Sequence, residues 1–414
     1  MEKVDITVQR DNTQKEVRIA AVLMAILALC CAINSAFVYL FLPFIILFSI
    51  IKLKKTADFR FDIADMAIVI ICITESLLTL CSQYSHNSIL MLEHIMSAIV
   101  VWFFFRICLD RKDLIRIFIF TLSCIAFFLA VLTLLAYIRH RFEFKSMGFN
   151  DMTLVRQYYH PLGDISNDWV AVLLCLIPLP IYSYVHLKRP ILKGFQIIIL
   201  TSIITSILIS FSRGAYIAFG SFCLSIIVLF YKYGRRFFRR LLFVLTVSIG
   251  ISLISVLPDS ESVLTTCAIM KNTTQIRSVE GRVEKMSEAK ALYKDSPVTG
   301  VGGGNYRMTS GLKGRKDFNS SSFRSANSYF QMLVEKGWLG TTTYALSFLL
   351  IIVGCLKIIK KRPDSIPFVA ALFALSVREL FFSTFFEDDR FPLVPIILLL
   401  SIIQMSAYYE RKSR

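Results

Sequence analysis

Charge is scarce in this 414-residue sequence: Asp, Glu, Lys and Arg make up 18% of it, against 56% hydrophobic residues and a mean hydropathy of +0.63. A soluble domain cannot hide that much apolar surface, and a disordered chain needs the opposite balance. Glycine (17) and proline (11) are sparse and without period, which excludes a collagen-like chain. There is no internal repeat, heptad run or low-complexity segment. Nine of the ten cysteines fall in or at the edges of apolar runs and only Cys267 stands apart, so neither a disulfide framework nor a CxxC metal site is available. Acidic residues are the scarcer sign, 29 against 46 basic, giving a net charge of +17. In a soluble chain that excess would suggest nucleic acid. Its position along the chain says otherwise.

The apolar residues gather into runs near the ~20 residues needed to cross a bilayer. Spans are predicted over 19–34, 36–51, 63–82, 88–105, 115–138, 168–187, 195–211, 214–231, 241–257, 338–356, 366–384 and 392–409. This is an all-α polytopic membrane protein with about twelve transmembrane helices. Every second connection is basic: Lys52, Lys54, Lys55 and Arg60; Arg106, Arg111, Lys112 and Arg116; Lys188, Arg189 and Lys193. Lys232 with Arg235, Arg236, Arg239 and Arg240, then Lys357, Lys360, Lys361 and Arg362, continue the series. By the positive-inside rule these face the cytoplasm, as do both termini, and the excess charge needs no nucleic acid. The expected organisation is a cytoplasmic N-terminus (1–18), a nine-helix bundle (19–257), an extracytoplasmic loop domain (258–337), a three-helix bundle (338–409) and a cytoplasmic tail (410–414). The connection 139–167 faces outward too. The first 18 residues carry no small-residue cleavage site, so a retained first helix is expected.

Ionisable groups in or beside the spans are the functional candidates. Glu93 and His94 lie near the outer end of the fourth span, with Glu75 deeper in the third. Arg378 and Glu379 lie near the outer end of the eleventh. Arg213 is the sharpest, in Ser212-Arg213-Gly214 on a tight turn between two apolar helices. A guanidinium beside the free N–H groups of a starting helix suits phosphate or diphosphate. The structural alternatives are an Arg reaching to the headgroups, or one paired with Glu379.

The large outer loop reads as folded and partly helical. Residues 283–294 have helical spacing, with Val283, Met286, Ala289 and Tyr293 on one side. A glycine-rich loop follows, Gly300-Val301-Gly302-Gly303-Gly304-Asn305-Tyr306. It lacks the GxGxxG spacing and any GK[ST], so it is no nucleotide site; close packing over a substrate and a flexible hinge are its two readings. A short interfacial helix is predicted from Asn327 or Ser328, with Tyr329, Met332 and Leu333 on one side and Gln331, Glu335 and Lys336 on another, ending at Gly337.

Four segments, in order, resemble the O-antigen ligase and O-antigen polymerase superfamily of bacterial envelope glycosyltransferases. They are Asn167-Asp168-Trp169-Val170-Ala171 leading to Pro178; Ser212-Arg213-Gly214; Arg282 through Asp295-Ser296-Pro297 to Gly300-Val301-Gly302-Gly303-Gly304-Asn305-Tyr306; and Asn327-Ser328-Tyr329 to Glu335-Lys336-Gly337-Trp338-Leu339-Gly340. The resemblance covers roughly residues 160–345. It implies an inverting transfer on the outer face of the bacterial plasma membrane from an undecaprenyl-diphosphate-linked glycan donor to a glycan acceptor, with no cofactor and no metal. Arg213 would hold the diphosphate with Arg282 beside it, both catalytic, and Ser212, Gly214, Asn327, Tyr329, Glu335 and Arg378 would bind substrate. Chain-length regulator and flippase proteins are the implied partners.

One departure bears on the reaction. The family's ligase histidine should precede Asn327, and this chain has Ala326 there. His160, Glu335 and Glu93 are the candidates to replace it as base. The loss favours a repeat-unit polymerase in O-antigen, capsule or exopolysaccharide synthesis over a ligase. A lipid-linked-glycan flippase is the alternative from a different class.

Overall fold

In the computed structural model of the chain, the described residues are 19, 21–27, 36–55, 61–82, 85–109, 112–149, 166–267, 283, 286–287, 289–306, 328–380 and 402–403. They are mostly helical, with no strand among them. In chain order the helices are α1 (Ala36–Lys55), α2 (Ile63–Leu80), α3 (Ser85–Cys108), α4 (Lys112–Ser146), α5 (Ser166–Leu176) and α6 (Pro178–His186). Then come α7 (Pro190–Leu208), α8 (Arg213–Tyr233), α9 (Arg235–Val256), α10 (Ser260–Cys267), α11 (Ser328–Lys361) and α12 (Ile366–Arg378).

Among the described residues, eight helical stretches are long and apolar enough to cross a membrane. They coincide with eight of the predicted spans, from 63–82 to 338–356, with α5 and α6 making one span broken at Pro178. Pro178 brings no N–H and ends one helix while starting the next. Helix α1 covers the predicted span 36–51 and α12 part of 366–384; 19–34 is described only at residues 19 and 21–27, which are helical, and 392–409 lies almost wholly outside the described residues. Helix α4 overruns its prediction. It continues to Ser146 where the hydropathy reading stopped at 138, and its 35 residues make a rod of about 52 Å, well beyond a ~30 Å hydrocarbon layer. Its last turns are polar, so hydropathy could not see them, yet they keep the helical backbone bonds.

Local signals set the ends. Asp62 caps α2 by accepting from the Ile63 N–H (2.9 Å), and Asp65 reaches back to the Asp62 N–H (2.8 Å). Asp65 also accepts from Trp102 Nε1 (2.8 Å) and from Arg106 (3.2 and 2.8 Å), all three side chains buried. Hydroxyls within the helices, such as Thr74, Ser202 and Ser206, bond the carbonyl four residues back. That satisfies each polar atom without breaking the ladder.

Packing joins helices distant in sequence. Helix α11 packs on α2, α12 on α8, α9 on α7, and α7 on α4. At one end of the bundle, Asp364 accepts from Arg362 (3.0 and 2.7 Å) and pairs with His186 (3.2 Å). Burial opposes that carboxylate, but the hydrogen bonds from His186 and Arg362 and the Arg362 charge outweigh it and hold its pKa well below the usual carboxylate range. Gly234, closing α8, packs at the same end: a Cβ there would lie 3.3 Å from Pro363 Cβ. Helices α8 and α12 are therefore antiparallel, with Arg213 and Arg378 at the opposite end.

Candidate functional site

At that end the Ser212-Arg213-Gly214 turn is almost entirely buried. Ile209, Ser210, Phe211 and Ser212 are 2%, 3%, 1% and 3% exposed. Ser212 caps α8, its hydroxyl accepting from the Ala215 N–H at 3.4 Å. The Tyr216 hydroxyl reaches back to the Leu208 carbonyl (2.5 Å), tying the end of α7 to the start of α8. Arg213 is the first residue of α8 and half-buried. Among the described residues it has no ion pair. A cation at the positive end of a 21-residue helix is disfavoured by the dipole and invites an anion.

The expected alternative partner, Glu379, is engaged elsewhere. It accepts from Arg378 (2.7 Å) and from the Ser328 hydroxyl, and its carbonyl accepts from the Ser328 N–H (3.2 Å). Arg378 and Glu379 are each 0% exposed. At 1.5 Å per residue, α8 climbs roughly 31 Å from Gly234 to Arg213, and the chain from Pro363 to Arg378 roughly 23 Å. Arg378 thus lies one to two turns deeper than Arg213. Ser328, together with Tyr329, whose hydroxyl donates to the Ser376 carbonyl (2.9 Å), docks the start of α11 on the end of α12.

The glycine-rich loop packs closely against the backbone of α11. Helix α11 is broken at Gly337 (φ +59, ψ −169), where the short predicted helix ends. The break frees backbone groups, and the loop takes them up. Val301 and Gly302 N–H donate to the Val334 and Glu335 carbonyls (3.0 and 2.8 Å), while Trp338 and Leu339 N–H donate to Pro297 and Val298 (2.9 and 3.2 Å). This is how a broken helix survives in an apolar setting. A Cβ on Gly337 would sit 2.3 Å from the Val298 carbonyl oxygen, and one on Gly300 (φ +72) 2.4 Å from Glu335 C and O. The loop is docked on α11 as a latch. Its other face bonds the α2–α3 corner, with Asn305 Nδ2 donating to Ser82 Oγ (2.9 Å) and Ser88 Oγ to the Gly303 carbonyl (2.9 Å).

Under this latch, Glu335 and Lys336 are both 0% exposed, so the short helix does not lie at an interface with its polar face in water. Glu335 accepts from Gln331 (3.1 Å) and from the Tyr306 N–H (3.2 Å). Lys336 pairs with Glu75 of α2, which also accepts from the Tyr344 hydroxyl (2.5 Å); the ammonium sits 4.9 Å from the Tyr344 ring centroid. Of the residues predicted as a helix over 283–294, Ala289 and Leu292 pack under the loop with Val301, Tyr306 and Val334. Val283 and Met286, expected on that same face, are exposed.

Arg213, Ser212, Gly214, Tyr329, Glu335 and Arg378 thus share one end of the bundle, in three assemblies linked by α11 and α12. Glu93 is exposed on α3 and joins none of them among the described residues. Arg282, Asn327 and His160 lie outside the described residues. An apolar groove of about 500 Å³ opens beside Tyr329, Met332, Leu333, Tyr344, Phe348 and Ser376. Among the described residues no group of three or more His, Cys, Asp or Glu could hold a metal ion. Sequence reasoning flagged Glu75 but missed its partner; the only available signal was a second deep charge of opposite sign, Lys336.

Residues 197–345 match the family model described as O-antigen ligase. The matched stretch runs from mid-α7 through the Arg213 turn and the latch into α11, and it supports the O-antigen ligase/polymerase superfamily. No curated protein matches the chain.

Proposed function

We propose, from the O-antigen ligase match over residues 197–345, that this protein is an inverting glycosyltransferase that polymerises undecaprenyl-diphosphate-linked repeat units on the outer face of the bacterial plasma membrane. The observation that carries the reading is Arg213: a half-buried guanidinium without an ion pair among the described residues, aimed from a buried turn at a helix start inside the matched region. The end bearing Arg106, Lys188, Arg189, Lys360 and Arg362 faces the cytoplasm by its basic residues, with both chain termini; the Arg213 end faces out.

In this reaction the acceptor hydroxyl oxygen attacks the anomeric carbon of the donor. The bond from that carbon to the diphosphate oxygen breaks, and the electron pair leaves with undecaprenyl diphosphate. Arg213, with Arg282 as its expected companion, neutralises the charge growing on that leaving group, an electrostatic role whose loss costs about 10²–10³-fold in rate. The hydroxyl proton goes to a base. Glu335 accepts from Gln331 and the Tyr306 N–H on Oε1 alone, while its buried Oε2 has no hydrogen-bond partner among the described residues; it stays a base candidate beside His160 and Glu93. The glycan acceptor, the bilayer and chain-length regulator and flippase proteins are the partners of this reading.

Ligase-type transfer is the second reading, favoured by the description of the matching family; Ala326 in place of a histidine weighs against it. A flippase predicts paired charges at the bilayer midplane and paired broken helices; the buried Glu75–Lys336 pair and the breaks at Pro178 and Gly337 are features of that kind, while the lack of an inverted repeat in the sequence weighs against it. The test is purified protein in nanodiscs with undecaprenyl-diphosphate-linked repeat units, read as a ladder of longer glycans. A ladder that disappears in Arg213→Ala is expected. Equal ladders from both proteins, or none from the wild type, would overturn the reading.

A further inference from the structure

The turn that presents Arg213 contains a residue ill-suited to its own backbone. Phe211 has φ +46, and it is the only non-glycine residue with positive φ among the described residues. For a bulky side chain that region is a genuine outlier, kept only where the surroundings over-determine it. Here they do. The Phe211 ring is 1% exposed and packs on Tyr137 at 6.2 Å, in a cluster with Ile209 and Val256. The Tyr137 hydroxyl donates to Asp259 Oδ2 at 2.5 Å. Arg141 Nε donates to both Asp259 oxygens (2.9 and 2.7 Å), and Lys145 stands 3.6 Å away.

Three elements therefore meet on one ring. Tyr137, Arg141 and Lys145 belong to the end of α4, much of it past where hydropathy had ended the span. Asp259 closes the 3₁₀ turn Leu257–Asp259 that opens the large connection. Phe211 lies two residues before Arg213. The turn's two flanks are fixed, α8 by packing on α12 and α7 by packing on α4 and α9. Any relaxation of φ at residue 211 must then be absorbed between 209 and 213. Arg213 has no ion pair among the described residues to hold its direction, so that direction comes from the turn.

We infer that the Tyr137–Asp259–Arg141 clamp, acting through the Phe211 ring, sets the direction of the Arg213 guanidinium. Tyr137, Asp259 and Phe211 are positioning residues for the anionic group that Arg213 holds, and the clamp couples that group to the start of the large outer connection. The inference rests on the diphosphate role proposed for Arg213.

The test uses the full-length protein in nanodiscs. Undecaprenyl diphosphate is the binding probe, and chain growth from undecaprenyl-diphosphate-linked repeat units gives KM and kcat. Tyr137→Phe removes one hydroxyl and keeps the ring; Phe211→Gly removes the ring and lets the backbone relax. The clamp predicts weaker undecaprenyl diphosphate binding and a higher donor KM in both, about tenfold for Phe211→Gly and severalfold for Tyr137→Phe. Amides 210–213 should exchange faster while the middles of α7 and α8 are unchanged. A merely structural role would lower the yield of folded protein but leave Kd and KM of the folded fraction at wild-type values. Binding within twofold of wild type in both variants, with binding lost in Arg213→Ala, overturns the clamp alone. Binding retained in Arg213→Ala overturns the diphosphate reading and the clamp with it.

Discussion

Replacing Gly337 by alanine should undock the glycine-rich loop while leaving the rest of the bundle folded. The backbone at Gly337 (φ +59, ψ −169) is in a region essentially reserved for glycine, and occupying it with another residue costs about 1–3 kcal/mol. The added Cβ would meet Val298 O at 2.3 Å, Val298 C at 2.5 Å and Gly300 N at 2.6 Å, all backbone atoms. They cannot step aside, because the Val298 carbonyl is bonded to Leu339 and the neighbouring Val301 and Gly302 N–H groups to Val334 and Glu335. Relief therefore means losing some or all of four loop-to-helix hydrogen bonds, each worth about 0.5–1.5 kcal/mol net. Losing all four costs about 2–6 kcal/mol against docking, enough to raise the open fraction of the latch by roughly 30-fold to 10⁴-fold. Hydrogen exchange measured by mass spectrometry reads this directly, at the amides of Val301, Gly302, Trp338 and Leu339. Gly303→Ala is the control, since its Cβ would meet first the flexible Met91 side chain at 3.2 Å. Unchanged protection of those four amides in Gly337→Ala would refute the interlocking-backbone argument.

Three further outcomes are expected. Lys336→Met alone strands the Glu75 carboxylate in a site 2% exposed and should cost about 3–5 kcal/mol, whereas Lys336→Met with Glu75→Leu should recover much of it; thermal unfolding in detergent compares them, and equal losses would count against a buried pair. Asp364, hydrogen-bonded by His186 and Arg362, binds its proton less readily folded than unfolded. Its stabilising contribution is complete above the ordinary carboxylate pKa of about 4 and declines as pH falls below it. Asp364→Asn should lower the thermal midpoint at neutral pH and flatten its fall in acid; an unchanged acid limb would dismiss that group. Arg213→Ala should abolish chain growth while shifting stability by no more than about 0.5 kcal/mol, as suits a half-buried side chain outside any ion pair. A large drop in thermal midpoint would recast Arg213 as structural.

The spans from 63 to 356 were legible because burying apolar length is a local, additive property that hydropathy measures. The break at Gly337 was legible as well, since glycine after a helical run signals a stop. The end of α4 was not. Arg139, His140, Arg141 and Lys145 read as loop because they are charged, but helix continuation there depends on backbone bonds and on Asp259, more than a hundred residues away. The glycine motif was visible as a string, and its purpose was not. Whether Gly300 serves a ligand or a neighbouring backbone depends on what lies 2.4 Å from its missing Cβ, and that neighbour is Glu335.

Scarce charge and long apolar runs were enough to suggest a multi-pass helical chain, because an unbroken run of about 20 apolar residues satisfies its own backbone groups as a helix, whereas a barrel strand is about ten residues of alternating character. The order of short motifs was enough to suggest the superfamily, which the match over residues 197–345 supports. Pairing was different. Glu75 with Lys336, Glu379 with Arg378 and Ser328 rather than Arg213, and Tyr137 with Asp259 are contacts between residues mostly far apart in the chain. A single charge in an apolar span looks the same in sequence whether it is neutralised or poised for a substrate. Packing decides which, by bringing or withholding the opposite charge, and here it left Arg213 without an ion pair among the described residues.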